Sequence, residues 1–106
     1  MFLMNVEQLQ QELLSWPGVT SGAHRFGGTE FRVNGREMGH IHGSSLADLP
    51  FPMGVKDDLV KSGKAVPHHI LPQSGWVTLY INDDRDTEAL LGLFKMQYER
   101  LVKKTG

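Results

Sequence analysis

His40 and His42 stand in His-x-His spacing inside HRFGGTEFRVNGREMGHIHG, residues 24–43. On an extended strand alternate side chains leave the same face with origins about 7 Å apart, close enough to share a metal ion or a small ligand. A third group would come from His68 or His69, from Asp48, or from His24. Without an ion the same set offers proton transfer, with His42 or His69 as general base, Asp48 as the carboxylate that orients it, and Ser74 as a hydroxyl in reach. Trp76, after Ser74-Gly75, adds an aromatic pocket wall. The residues expected to bind a ligand are therefore His40, His42, Asp48, His68, His69, Ser74 and Trp76. Those expected to do chemistry are His42, Asp48 and His69, and those expected to take a metal are His40 and His42. The competing reading is structural: imidazoles bonded to backbone around a closed loop, with Asp48 capping or pairing locally.

Other chemistries are excluded by residue type. The chain has no cysteine, so thiolate nucleophiles, thiolate metal sites and disulfides are absent. Gly27-Gly28 matches neither phosphate-loop spacing, and no nucleophile elbow surrounds Ser74. Asn82 to Asp86 resembles the start of a calcium loop, but Leu93 occupies its twelfth position, where a bidentate glutamate belongs. Helix capping accounts for those acids. No organic cofactor is expected, and a divalent metal is the one inorganic candidate.

The elements that must position these groups follow from pattern. Asn5 and Gln8 form a capping box and Met4 and Leu9 a hydrophobic staple, opening a first helix whose apolar face carries Val6, Leu9, Leu13 and Leu14 and which stops near Trp16-Pro17. Val19 to His24 is a strand candidate, followed by a flexible Phe26-Gly27-Gly28 connection. Thr29 to Val33 alternates, and Asn34-Gly35 supplies a type I′ turn. A two-residue loop would set Val33 opposite Arg36, Arg32 opposite Glu37 as an ion pair, and Phe31 opposite Met38, with His40 and His42 on the Phe31 face unless Gly39 or Gly43 bulges. Ser44 to Leu49 is a further short strand, and a helix runs from Met53 to Ser62 on Val55, Leu59 and Val60, closed by Gly63. Lys64 to Gly75 reads as a loop and Trp76 to Ile81 as a central strand. A long helix with Leu90, Leu91, Phe94, Tyr98 and Leu101 on one face ends near Lys103-Lys104. The fold class is α+β, a single domain (residues 1–106) with a mainly antiparallel sheet covered by the N- and C-terminal helices, in the order α-β-β-β-(β)-α-β-α.

With 106 residues, 40% hydrophobic and 22% charged, the chain has the composition of one soluble domain that needs no metal to fold. A net charge of -1 gives no overall pull toward nucleic acid or anionic membrane. Met1 to Met4 lacks a signal peptide's basic start, and no apolar run reaches a membrane span, so the expected location is the cytoplasm.

The segments FGGTEFRVNGREMGHIHG, DLPFP, HH-x-x-P-x-SGWV and QYERL together resemble a family of small bacterial domains labelled luciferase. Its pattern implies functional positions at Gly39-His40-Ile41-His42, at Asp48, at His68 or His69, and at Pro72 to Trp76, while Lys56 stands where arginine is expected. No flavin or ATP motif accompanies it. The element order is also similar to the MmcQ/YjbR-like group, whose fold has been compared with DNA-binding domains. The concentration of histidine, aspartate and tryptophan in two short segments points to a small-ligand domain, with or without catalysis, while the MmcQ/YjbR-like resemblance implies, as the alternative, a nucleic-acid binder using Arg25, Arg32 and Arg36. A protein-interaction domain is the third class.

Overall fold

In the computed structural model the chain forms α1 (Val6–Ser15), β1 (Val19–Ala23), β2 (Thr29–Val33), β3 (Arg36–His42), β4 (Leu46–Pro50), α2 (Met53–Lys61), β5 (Val66–Pro67), β6 (Trp76–Tyr80) and α3 (Asp84–Thr105). The structure describes residues 3–25 and 27–105, with the side chains of residues 104 and 105 not included. Expectations for Met1, Phe2, Phe26 and the Lys104 side chain fall outside the described residues. The six strands make one antiparallel sheet in the order β1-β2-β3-β4-β6-β5. The α+β class and element order expected from sequence hold, with one addition: the Lys64 to Gly75 segment carries the two-residue edge strand β5.

Helix ends form where their residue chemistry places them. The Asn5 carboxamide accepts from Gln8 N–H and the Gln8 carboxamide from Asn5 N–H, each at 2.9 Å. At the start of α3 the same exchange is made by acids: Asp83 accepts from the Arg85 and Asp86 amides, and Asp86 from those of Asn82 and Asp83. The acids at this helix start thus act as caps. Gly63, at φ +76°, closes α2 with Gly63 N–H to Val60 O and Lys64 N–H to Leu59 O, which uses carbonyls the helix leaves unpaired.

One face of the sheet packs against the helices. Phe31, Val33, Ile41, Ala47, Leu49, Val77 and Leu79 meet Leu9 and Leu13 of α1 and Leu90, Leu93, Phe94 and Leu101 of α3. Leu14, expected on the apolar face of α1, is instead 47% exposed. Leu9 and Leu13 alone hold the centre of that stripe, and Leu14 lies about 100° round the helix from Leu13.

The β2–β3 hairpin corrects the expected register. Asn34 (φ 52°) and Gly35 (φ 77°) make the turn, and Val33 faces Arg36 and Arg32 faces Glu37 as the two-residue loop requires. The next pair is Phe31 with Gly39, not Met38, because Met38 is an extra residue in β3. Arg32 consequently bonds Glu30 and the Gly35 carbonyl rather than Glu37. The bulge precedes both histidines, so it turns them together to the face opposite Phe31. Their shared face survives; the predicted side does not.

Two side chains secure this irregular stretch. The buried Gln97 amide of α3 donates to the carbonyls of Met38 and Pro50, and its oxygen accepts from Arg100. That satisfies a bulge carbonyl the ladder leaves without its regular partner. Gly39 lets α3 come close: a Cβ there would lie 2.8 Å from Asp48 O, 2.9 Å from Leu49 Cγ and 3.2 Å from Phe94 Cε1.

Candidate functional site

Sheet register builds the second face directly. Glu30 of β2 faces His40 of β3, His40 faces Asp48 of β4, and Asp48 faces Thr78 of β6, so four polar side chains form a row across the sheet. His42 lies two residues further along β3, on the same face. Trp76 lies two residues from Thr78, and the backbone bond from His68 N–H to Trp76 O brings the loop after β5 alongside.

Asp48 is the hub. It is 1% exposed. Its Oδ1 accepts from Thr78 Oγ1 at 2.6 Å, while its Oδ2 lies 3.3 Å from His40 Nε2, 3.4 Å from His42 Nε2 and 3.5 Å from His68 Nε2. Glu37 closes the far side of His40, at 2.7 Å from Nδ1. Residues three apart on a regular strand face opposite ways, so Glu37 meets His40 because Met38 bulges between them. His24 stacks on His40 with ring centroids 3.8 Å apart, and His69 stacks on His68 at 4.4 Å. All five histidines of the chain gather at this one place. Trp76 lies 5.4 Å from the His40 ring and 6.1 Å from that of His68.

Electrostatics follow from these contacts. Burial lowers the His40 pKa, but hydrogen bonds to the Asp48 and Glu37 carboxylates outweigh it and raise the value from 6.5 to about 9. Burial pushes Asp48 up, yet its bonds to His40 and Thr78 dominate and hold it at about 2. His68 is lowered, first by burial and then by the His69 and His40 charges, against the pull of Asp48. Its ring is also held in one tautomer: Nδ1 accepts the backbone N–H groups of Ile70 and Leu71, each at 3.1 Å. A ring nitrogen that accepts carries no proton, so neutral His68 has its N–H on Nε2, toward Asp48.

The residues expected from sequence are therefore placed as follows. His40, His42, Asp48 and His68 converge, Trp76 borders them, and His69 stands exposed at the rim against His68. Ser74 has its hydroxyl in the turn, donating to Leu71 O at 2.6 Å and accepting from Trp76 N–H at 3.2 Å. Lys56, buried on α2, fixes the same turn by donating to the Pro72 and Ser74 carbonyls at 2.6 Å each. Glu37, Thr78 and Gln97 escape the sequence reading, and Lys56 enters it only as a departure from the family pattern. Thr78 carries a signal, since a small hydroxyl sits mid-strand between large apolar residues. Glu37 carries none, because the bulge that brings it round is invisible to alternation.

Among the described residues three groups of side chains have donor atoms close enough to share an ion: His24-Glu37-His40, His40-His42-Asp48 and Asp48-His68-His69. Among the described residues no helix is long and apolar enough to cross a membrane. No curated protein and no solved structure matches the chain significantly. The family model described as luciferase domain matches residues 35–97, which takes in β3 with both histidines, Asp48, the His68 loop, Trp76 and Gln97. The chain belongs to the luciferase domain family.

Proposed function

We propose that the domain binds a small polar ligand at the His/Asp/Trp cluster, where the exposed edge of His42, His69 at the rim and the Trp76 ring offer the contact surface. One observation carries this: three imidazole Nε2 atoms converge on a single oxygen of a buried carboxylate. Stability is a poor reason to keep such a set, because several ionisable groups must be desolvated where apolar residues of similar volume would serve at least as well. Ordered polar groups beside an aromatic wall are instead the usual make-up of a ligand site. His42, 32% exposed in its side chain with Nε2 on Asp48, is the group best placed to meet the ligand.

The test is a thermal-shift screen of small polar compounds run in EDTA. A ligand present at a hundred times its Kd stabilises by about 2.7 kcal/mol, a rise of roughly 10–20 °C for a domain of this size. The expected result is a response in the wild type that is lost in His42→Ala and in Trp76→Leu. Responses that persist in both variants, or none across the screen, would overturn the reading.

The nucleic-acid reading has less support. Arg32 is paired with Glu30, and burial together with Arg36 depresses the pKa of Arg100, which faces inward toward Pro50 and Gln97. The family match is to the luciferase domain and does not extend to the MmcQ/YjbR-like group on which this reading rests.

A further inference from the structure

The three groups that could share an ion are not equivalent, and hydrogen-bond direction separates them. In His24-Glu37-His40 the Glu37 to His40 contact is 2.7 Å. Two ligands on one ion with bonds near 2.1 Å lie about 3.0–3.4 Å apart for octahedral to tetrahedral angles, so the shorter contact is a hydrogen bond with no room for a shared ion. In Asp48-His68-His69 the tautomer decides. Both lone-pair positions of His68 are closed, Nδ1 by the Ile70 and Leu71 amides and Nε2 by the proton that this tautomer requires.

The remaining group has the opposite character. His40 Nε2 and His42 Nε2 lie 3.3 and 3.4 Å from Asp48 Oδ2, which are the edges expected of ligands on one first-row ion. Two of the three ligands also have outer support. Glu37 fixes the His40 ring through Nδ1, leaving Nε2 for the ion, and Thr78 donates to Asp48 Oδ1, leaving Oδ2 for it. Carboxylate-histidine and hydroxyl-carboxylate contacts of this kind orient the ligands of known metal centres.

We propose, building on the ligand-binding reading above, that His40 Nε2, His42 Nε2 and Asp48 Oδ2 hold a divalent first-row transition ion, with Glu37, Thr78 and His68 as its outer support. Two imidazoles and one carboxylate suit zinc, iron(II) or cobalt(II) rather than magnesium or calcium. Three protein ligands leave coordination positions for water or for an oxygen of the small ligand, next to Trp76.

Cobalt(II) and zinc titrations of untagged protein test this. The expected result is a single equivalent of cobalt with visible d–d absorption, displaced by zinc. His42→Ala should abolish it, Glu37→Gln should weaken it about 10–100-fold, and His69→Ala should leave it unchanged. Zinc should also move the His40 and His42 ring nitrogen signals in NMR spectra of the wild type while the His68 Nε2–H signal persists, a readout independent of how the variants fold. Loss of binding in His69→Ala, or zinc binding that removes the His68 signal, would overturn the assignment. Absence of cobalt binding with ligand responses intact in EDTA would sink the metal and keep the ligand site; loss of both would sink the two together.

Discussion

Substituting alanine at Gly39 tests the claim that one missing side chain lets α3 lie against the bulged strand. Gly39 has no positive φ, so the substitution brings no backbone strain, and reduced freedom of the unfolded chain alone would stabilise by about 0.4–1 kcal/mol. Against this, the new methyl would lie 2.8 Å from Asp48 O, 2.9 Å from Leu49 Cγ and 3.2 Å from Phe94 Cε1. The Phe94 ring can shift, but Asp48 O belongs to the neighbouring strand and moves only with it. Overpacking of this kind costs about 1–3 kcal/mol. The net expectation is a loss of about 1–2 kcal/mol, a fall in Tm of roughly 4–16 °C. Urea and thermal unfolding measure it. In a Phe94→Leu background the loss should shrink but persist, because two of the three contacts remain. A Gly39→Ala protein as stable as the wild type would refute the packing argument.

Gly92 supplies the contrast. Nothing lies within 4 Å of a Cβ there, so Gly92→Ala on α3 should stabilise by about 0.5–1 kcal/mol in the same unfolding assay. Gln97→Leu takes from the Met38 carbonyl its buried donor, whereas Pro50 O keeps Arg100 at 3.3 Å, and should destabilise by about 1–3 kcal/mol, with hydrogen exchange rising around the bulge. Stability of the metal-free protein should peak near pH 6.5. His40, raised to about 9, contributes fully below 6.5 and loses its contribution as pH rises through 9. Asp48, lowered to about 2, loses its own between 3.8 and 2, and His68, lowered from 6.5, erodes stability as acid protonates the unfolded chain first. Tm measured from pH 3 to 10 should fall on both sides, and His40→Gln should flatten the alkaline limb; a flat alkaline limb in the wild type would contradict this.

Elements whose signals are local were legible in the sequence. The Asn5-Gln8 box, the Asn34-Gly35 turn, the glycine that ends α2 and the spacing of Leu90, Phe94 and Leu101 each depend on neighbours in the chain. The cluster was legible as residue types, His-x-His, Asp48, the His68-His69 pair and Trp76. Its assembly was not, because it depends on strand order, which brings β6 next to β4 and so pairs Asp48 with Thr78, thirty positions further along the chain. β5 was missed for a related reason: two residues, one of them proline, have no period, and they become a strand through β6 alone. The side on which the histidines lie turned on Met38, whose apolar character fits either pairing.

Strand β3 is in effect phased from both its ends. Counting from Asn34-Gly35 predicts the wrong face, because the count crosses Met38; counting back from the β3–β4 turn pairs His42 with Leu46 and His40 with Asp48 without interruption. A length change between Arg36 and Met38 would therefore re-phase only the pairing with β2, leaving the imidazoles on Asp48. The same change between Gly39 and Gly43 would part them from it, so the two halves of a single strand should differ sharply in their tolerance of insertion and deletion.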